Sequence, residues 1–438
     1  MQNLRILTIG WEYPPHITGG LGIACQGLVR ALARKGHWIN FLVPRLWGDE
    51  ARDEGIELTD VKSRLLTFSE DQILRLSKQF EIFMKNRTYG AYESAQYRPP
   101  GVGLSESTLS SSAIREAFLE MPMQGGYGDQ LYEEIQRYSD FASILATGGN
   151  FDLIHAHDWM TYPAGLAARS ISGKPLICHV HATEFDRSGE SVNQYVYDLE
   201  RHAFHSCDAI ITVSNYTRNI LIQRYGVQPE KIFAVHNGIE FEIPESIVEN
   251  NPVDRTVDDK IVLFLGRITF QKGPDYFVRA AKIVIDKLKN VRFVMAGTGD
   301  MYHRIIEMAA DLGIGKYFHY TGFLNRQQTR KIYEMSDLYI MPSVSEPFGI
   351  SPLEAMMHGI PVIVSKQSGV SEIISNCMKV DFWNVNEIAD SIIHLLTDNE
   401  LNTKLRKHGH YEARNITWDM AADRIQDVYR QVHERNRP

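Results

Sequence analysis

The chain has few cysteines, no excess of basic residues and no long apolar run, and each shortage excludes a class of protein. Its four cysteines (Cys25, Cys178, Cys207 and Cys377) are scattered through 438 residues without CxxC spacing. We therefore expect reduced core residues rather than a disulfide framework or a zinc site. The net charge of −8, with no basic stripe, argues against a nucleic-acid partner but allows a local basic pocket for a phosphate.

Membrane and targeting signals are also lacking. No apolar run approaches the roughly 20 residues of a membrane span. The N-terminus, MQNLRILTIGWEYPP, enters a strand-like run without the basic and long apolar regions of a signal peptide. We expect a cytoplasmic protein without a transmembrane segment. The 44% hydrophobic and 23% charged residues are typical of a globular protein, and the length predicts two or three domains.

Strand-like and helix-like segments alternate in two successive runs. The first contains RILTIG, the glycine turn TGGLG, the helical CQGLVRALARKG, and then WINFLVP, FDLIHAH, PLICHVH, DAIITVS and KIFAVHNG. The second contains KIVLFLG, the helical PDYFVRAAKIVIDKL, and then VRFVMAG, FHYTG, DLYIMPS and PVIVS. This alternation predicts an α/β protein with two doubly wound Rossmann-like domains, each a parallel sheet covered by helices on both faces.

A charged, turn-rich segment with Pro244 and Pro252 separates the two runs. We predict a first domain at 1–245, a second at 246–415 and an amphipathic C-terminal helix at 416–438. Residues from about 50 to 150 are less regular and end in a helical pattern, DQLYEEIQRYSDFASIL. We interpret them as an elaboration of the first domain beside its binding site, with a polar loop of no function as the alternative.

The most informative feature is a pair of glutamates, Glu346 and Glu354, in SEPFGISPLEAMMHGIPVI. They follow a strand-like run, and α/β sheets bind nucleotides and phosphorylated ligands beyond the carboxyl ends of their strands. The segment beginning at Ser351 can also be interpreted as a capping box, with Glu354 at its third helical position. Glu346 has no such structural alternative. Backbone N–H groups near Phe348 and Gly349 suit hydroxyl or phosphate oxygens.

Two cations and a glycine turn indicate a phosphate ligand. Arg267 and Lys272, in FLGRITFQKG, follow a strand and suit a diphosphate, although solvated surface cations are the alternative. Gly19 and Gly20 precede a helix, where glycine lets the backbone approach an anion. Tight packing is their alternative, and the spacing is not that of a dinucleotide fingerprint.

Histidines and one aspartate follow strands of the first run. His181, in PLICHVHATEFDR, could be a core or capping histidine or a site residue. The pairs His155/His157 and His179/His181 each point to one face of a strand and could bind a cation, but no carboxylate–histidine pattern accompanies them, so we predict no metal. Asp158, in IHAHDWMT, could be a plain helix N-cap.

Together these motifs resemble the retaining GT-B glycosyltransferases of families 4 and 5, which include glycogen and starch synthases. The resemblance covers nearly the whole chain. It implies two Rossmann-like domains that face a cleft, with a C-terminal helix that crosses back to the first domain. The first domain would bind a carbohydrate acceptor and the second an NDP-sugar donor, with UDP- or ADP-glucose favoured. Neither a DxD metal motif nor a cofactor is implied.

The same resemblance implies roles for individual residues. Glu346 would lie by the donor sugar, Glu354 would bind the ribose, and His181 would lie beside the sugar and the reacting bond. Arg267 and Lys272 would neutralise the leaving diphosphate. The other positions implied to line the active site or bind the donor are Asp158, Gly19, Gly20, Gly297, Gly322, Phe323, Phe348, Gly349, Ser368, Gly369 and Val370.

Two departures favour family 4. Ile17 stands where glycogen synthases carry a lysine, and Glu354 is retained where their second glutamate is often replaced. We predict a retaining transferase that moves a hexosyl group to a glucan or oligosaccharide, and we favour glucosyl as that group. The alternatives are a mannosyl- or other hexosyltransferase with a lipid-linked or cell-surface acceptor, a sugar-nucleotide 2-epimerase and a degenerate sensor. The sequence does not define the nucleotide base, the acceptor or the oligomeric state.

Overall fold

The computed structural model describes residues 3–17, 19–60, 130–240 and 259–436, together with seven isolated positions (62, 63, 66, 70, 123, 125 and 128). The predicted boundary between domains at 245–246, with Pro244 and Pro252, lies outside the described residues. The predicted elaboration at about 50–150 is described only at its two ends.

The first sheet has seven strands in the order β3-β2-β1-β4-β5-β6-β7. Strand β1 pairs in parallel with β2 and β4, β2 with β3, and β4 with β5. Strands β4 and β5 are buried along their whole length, as expected for strands covered on both faces. The strands are β1 (Arg5–Ile9), β2 (Trp38–Val43), β3 (Ile56–Asp60), β4 (Leu153–His157), β5 (Leu176–Val180), β6 (Ala209–Thr212) and β7 (Ile232–Ala234).

The second sheet has six strands in the order β10-β9-β8-β11-β12-β13, and every neighbouring pair is parallel. Its order reverses between β8 and β11, which is where doubly wound sheets bind ligands. The strands are β8 (Lys260–Leu265), β9 (Val291–Ala296), β10 (Phe318–Gly322), β11 (Leu338–Met341), β12 (Val362–Ser365) and β13 (Met378–Val380).

Alternate residues of the second sheet enter two different apolar cores. Val262 and Phe264 pack in one cluster with Phe277 of a covering helix, whereas Leu263 packs in the other with Leu353. Successive side chains of a strand point to opposite faces, so both faces of this sheet are covered. The predicted α/β class with two Rossmann-like parallel sheets is confirmed.

Helices form where the sequence shows apolar residues at helical spacing. Four segments that were predicted to be helical are helices in the structure. They lie after the glycine turn, before β4, after β8 and at the C-terminus. The described helices are α1 (Gly20–Arg34), α2 (Leu131–Thr147), α3 (Tyr162–Ser172), α4 (Glu184–Ser188), α5 (Gln194–Ser206), α6 (Asn215–Tyr225), α7 (Pro274–Lys287), α8 (Tyr302–Asp311), α9 (Arg326–Met335), α10 (Ser351–Met357), α11 (Val385–Thr397), α12 (Asn399–Arg414) and α13 (Trp418–Arg435). None of the described helices is long and apolar enough to cross a membrane.

The chain forms two compact units. The first comprises Met1–His179, Asp198–Ile210 and Gln426–Pro438, and the second comprises Val180–Tyr197 and Ile211–Ile425. Within the first unit, the end of the chain packs on the sheet, because the Tyr429 hydroxyl of α13 lies 2.6 Å from His155 Nδ1 of β4.

Candidate active site

The loop after β11 carries Glu346, whose buried carboxylate forms an ion pair with Lys272. Ser343 Oγ also donates to Glu346 Oε2 at 3.4 Å. Lys272 ends a 3₁₀ turn that follows β8. Because β8 and β11 are neighbours in the sheet, their loops meet at one carboxyl edge. The structure thus brings the predicted sugar-binding carboxylate and one predicted phosphate-binding cation into direct contact.

Close backbone packing gives these two loops their shape. At Gly273, directly after Lys272, φ is 63° and an added Cβ would lie 2.2 Å from the carbonyl oxygen of Pro342. Only glycine fits such a position. The carbonyl oxygen of Gln271 also accepts a hydrogen bond from the N–H of Val344 at 2.9 Å. The loop after β8 is therefore fastened to the loop that carries Glu346.

The loop after β12 lies against the other side of Glu346. The Glu346 carbonyl accepts from the N–H of Gly369 at 2.9 Å, and the Phe348 carbonyl accepts from the N–H of Val370 at 2.7 Å. Ser368 forms a parallel bridge with Glu346. The side chains of Phe348 and Val370 are buried in the apolar core. The backbones of these two predicted donor-binding residues therefore bond to each other, while their side chains pack inward.

The capping-box interpretation of Glu354 is wrong. Helix α10 begins at Ser351, and no side chain caps its first turn. The Ser351 hydroxyl instead accepts from Tyr339 at 3.0 Å, and Glu354 accepts from the Tyr333 hydroxyl at 3.0 Å. Burial raises the pKa of Glu354, while the hydrogen bond from Tyr333 and the charge of Arg326 act in the opposite direction. Glu354 is therefore oriented by tertiary contacts.

The loops after β8, β9 and β10 reach the same edge of the sheet. Arg267 is exposed, with Nη2 3.4 Å from Oε1 of Gln271. Gly297 packs on the loop after β8, because an added Cβ would lie 2.0 Å from the Gly266 carbonyl oxygen. Gly322 has φ 69°, and the Phe323 side chain after it is 77% exposed. Close packing thus explains the glycine at position 297. Arg267 and Phe323, in contrast, expose their side chains to solvent.

His181 follows β5, and its loop makes a long-range contact that the sequence did not indicate. The imidazole is half-buried, and burial lowers its pKa to about 3, so it is neutral at physiological pH. Two residues on, Thr183 and Asp186 form a capping box at the start of α4. The Asp186 carboxylate also accepts from the hydroxyl of Ser345, which lies 3.0 Å from the Tyr216 hydroxyl. The His181 loop is thereby tied to the residue before Glu346.

A second carboxylate, that of Glu372, fixes the loop after β12 near the protein surface. Glu372 accepts from the backbone N–H groups of Asn215 at 2.9 Å and Tyr216 at 2.6 Å, and from His236 Nε2 at 2.7 Å. Burial alone raises the pKa of Glu372, but these hydrogen bonds outweigh it and the net pKa is lowered. Glu372 is therefore ionised at neutral pH and anchors this loop to the first turn of α6.

The first unit carries the predicted glycine turn. Gly19 precedes α1, which begins at Gly20, as predicted. An added Cβ at either glycine would meet no atom of the described chain within 4 Å, whereas at Gly22 it would lie 2.4 Å from Ile17 Cγ2. The N–H of Gly22 donates to Glu12 Oε1 at 3.1 Å. The tight-packing alternative thus applies to Gly22, and an anion role for Gly19 and Gly20 stays a prediction.

Asp158 does not cap a helix, so that alternative is wrong. Helix α3 begins at Tyr162 after Thr161. Among the described residues, Asp158 alone is a non-glycine residue with positive φ, at 63°. Its N–H donates to the His179 carbonyl at 2.9 Å, and its side chain is buried. Such conformations persist where the surroundings enforce them, often at functional sites.

Three predicted H-x-H histidines form one buried cluster in the first unit. The ligand atoms of His155, His157 and His179 lie within 4.8 Å of one another. His155 Nε2 lies 3.2 Å from His179 Nδ1, and its Nδ1 pairs with the Tyr429 hydroxyl. Hydrogen bonding among these groups links β4, β5 and α13. The absence of a metal stays a prediction.

Two family models match the sequence that forms these sheets and loops. The model for glycosyl transferases group 1 matches residues 248–411, and that for Glycosyltransferase Family 4 matches residues 123–243. The chain belongs to the GT-B glycosyltransferases of the family 4 type. Glu346, Lys272 and the loops around them thus lie within the part of this glycosyltransferase that the group 1 model matches.

One relative and two solved structures are similar to this glycosyltransferase over nearly its full length. A glycosyltransferase of Methanocaldococcus jannaschii, described as uncharacterised, is 28% identical and covers 98% of both chains. The sucrose-phosphate synthase of Thermosynechococcus elongatus has a TM-score of 0.71 at 17% identity, covering 99% of this chain and 100% of its own. The catalytic domain of starch synthase IV from Arabidopsis thaliana, bound to ADP and acarbose, has a TM-score of 0.66 at 17% identity with the same coverage.

Proposed function

We propose that this glycosyltransferase transfers a glucosyl group, with retention of configuration and without a metal or cofactor, from ADP- or UDP-glucose to an α-glucan or oligosaccharide. The ion pair of Glu346 and Lys272 at the edge of the second sheet carries the proposal. It pairs a carboxylate suited to sugar hydroxyls with an ammonium suited to phosphate. The similarity to a starch synthase domain bound to ADP and acarbose supports a nucleotide donor and a glucan acceptor.

Charge development explains how these residues act in the proposed reaction. As the glycosidic bond breaks, negative charge grows on the diphosphate, where Lys272 and Arg267 stabilise it. A bound diphosphate competes with Glu346 for the Lys272 ammonium and so releases the carboxylate to accept hydrogen bonds from sugar hydroxyls. His181 is neutral and can accept or donate one hydrogen bond to the sugar. Glu354 binds the ribose hydroxyls.

Retention in this proposal needs no dedicated protein base. The departing phosphate oxygen takes the proton of the acceptor hydroxyl on the same face of the sugar that the diphosphate leaves. The protein then contributes position and charge stabilisation rather than proton transfer. The ion pair with Lys272 holds the Glu346 carboxylate in place before the donor binds.

A donor panel tests the proposal. UDP-, ADP- and GDP-glucose and GDP-mannose are each incubated with and without maltooligosaccharides, and nucleotide release and product length are measured. We expect release that depends on glucan, with chain growth, from UDP- or ADP-glucose. Nucleotide release from GDP-mannose contradicts the proposed donor. Nucleotide release that does not depend on glucan contradicts the proposed acceptor. The anomeric configuration of the product, measured by NMR, tests retention.

Two variants test the residue roles. Glu346→Gln keeps the side chain's size but removes its charge, so we expect kcat to fall at least about 100-fold. The matched control is Glu307→Gln on the exposed surface of α8. Arg267→Ala should weaken binding of the nucleoside diphosphate and leave binding of the nucleoside unchanged. Equal losses for both ligands mean that Arg267 does not contact phosphate.

A further inference from the structure

The carboxylate of Glu354 is oriented by one buried tyrosine from α9. The Tyr333 side chain is 2% exposed, and its hydroxyl lies 3.0 Å from Glu354 Oε2 and 3.2 Å from the Ser351 carbonyl oxygen. Its ring stacks on His358, with centroids 5.2 Å apart and an angle of 21° between the planes. Since both the ring and the helix are fixed, the position of the hydroxyl is fixed as well.

We propose that Tyr333 is a positioning residue that directs Glu354 toward the ribose hydroxyls of the nucleotide and thereby makes the enzyme select ribonucleotides over deoxyribonucleotides. The inference rests on the proposed function, in which Glu354 binds the ribose. A carboxylate has two oxygens with about four acceptor positions. When Tyr333 binds Oε2, the other oxygen is turned in a defined direction and can accept from a ribose hydroxyl.

The electrostatic surroundings of Glu354 make this hydrogen bond important. Burial raises the pKa of Glu354, and the bond from Tyr333 is the first of the contacts that oppose this. Hydrogen bonds to charged groups are stronger than those between neutral groups. Removing the Tyr333 hydroxyl therefore both frees the carboxylate to rotate and favours its protonated form, which is a weaker acceptor for a ribose hydroxyl.

The chain offers a matched control in Tyr339 of β11. Its side chain is fully buried, and its ring centroid lies 6.2 Å from that of Tyr333. The Tyr339 hydroxyl donates to Ser351 Oγ at 3.0 Å, in the same first turn of α10, and lies 3.4 Å from the Leu265 carbonyl oxygen. Tyr339→Phe thus removes a tyrosine hydroxyl that contacts the same helix turn but leaves the hydrogen bond from Tyr333 to Glu354 in place.

Calorimetric titration of the full chain with ADP, UDP and their 2′-deoxy counterparts tests the inference without an acceptor. We expect Tyr333→Phe to raise the Kd of the ribonucleotide about tenfold and that of the deoxyribonucleotide less than about twofold. Tyr339→Phe should leave the ratio of the two Kd values as in the wild type. Glu354→Gln should reduce that ratio toward one.

The possible failures are distinguishable. In one outcome, Glu354→Gln removes the preference for the ribonucleotide, but Tyr333→Phe weakens the binding of both nucleotides equally or of neither. Tyr333 then has only a structural role, and the inference is overturned. If Glu354→Gln keeps the discrimination, the ribose role of Glu354 is wrong and the inference falls with it. If no nucleotide binds the folded wild type, the proposed function itself is overturned.

Discussion

Gly369 offers a steric test of how tightly the Glu346 loop must be placed. The glycine has an ordinary φ of −64°, so replacing it with alanine introduces no backbone strain. An added Cβ would nevertheless lie 2.2 Å from the Pro347 carbonyl oxygen, 2.5 Å from Ser214 Cβ and 3.0 Å from Phe348 Cα. Two of these neighbours are backbone atoms, which cannot rotate away as a flexible side chain does. The loops themselves must therefore move.

The size of that movement sets the expected loss. Real Cβ contacts stay beyond 3.0 Å, so the Pro347 carbonyl must retreat by about 1 Å. The N–H of Gly369 donates to the Glu346 carbonyl at 2.9 Å, so the shift reaches the residue that carries the carboxylate. Misplacement by about 1 Å can cost about 100-fold in rate, or about 2.7 kcal/mol. Overpacking should also lower the free energy of unfolding by about 1–3 kcal/mol.

The assay compares Gly369→Ala with Gly315→Ala. Gly315 lies in an exposed turn before β10, and an added Cβ there would meet no described atom within 4 Å. Urea unfolding gives the stability of each variant, and kcat/KM with the active donor gives its transition-state stabilisation. We expect Gly315→Ala to match the wild type. A folded Gly369→Ala with wild-type kcat/KM would refute the link between this contact and the placement of Glu346.

Two further predictions concern pH. Glu372→Gln should lower the free energy of unfolding by about 0.5–1.5 kcal/mol at pH 7 relative to Glu307→Gln, because solvent screens this carboxylate, and the deficit should vanish in acid. The pKa of Glu372 is lower in the folded state than in the unfolded state. Its contribution to stability is therefore complete above the unfolded-state pKa and is lost as the pH falls through the folded-state pKa. Urea unfolding at a series of pH values measures this loss. His181→Gln should lower kcat but leave the acid limb of its pH profile in place, because His181 stays neutral down to about pH 3. An acid limb near pH 6.5 that disappears in the variant would contradict this.

Alternation of strand and helix was sufficient to predict both sheets, and the misses have a physical reason. Strands β3 (Ile56–Asp60) and β13 (Met378–Val380) were not predicted. Each lies at an edge of its sheet and is only partly buried. An edge strand needs no continuous apolar run, and neither IELTD of β3 nor MKV of β13 has one, so both lack the pattern that identified the other strands.

The pairing of Glu346 with Lys272 lay beyond local sequence patterns. The two residues are 74 positions apart, and their contact depends on β8 and β11 being neighbours. The motifs correctly placed each residue in a loop after a strand, but not against the other. The capping box failed for a related reason. The hydroxyls of Tyr339 and Tyr333 bind Ser351 and Glu354, so tertiary partners replaced the local ones that the spacing suggested.

Asp186 shows how a local pattern can conceal a longer-range role. Its capping box with Thr183 could be read from the sequence, but its bond to Ser345 joins residues 159 positions apart. Burial raises the pKa of Asp186, and the Ser345 and Thr183 bonds oppose that rise. Thr183 lies two residues after His181 and Ser345 lies next to Glu346, so these bonds join the two loops close to both residues. His181 and Glu346, the two predicted sugar-contacting residues, are therefore positioned together through the carboxylate of Asp186. In our proposal, Asp186 itself contacts neither the Lys272 ion pair nor the ribose site.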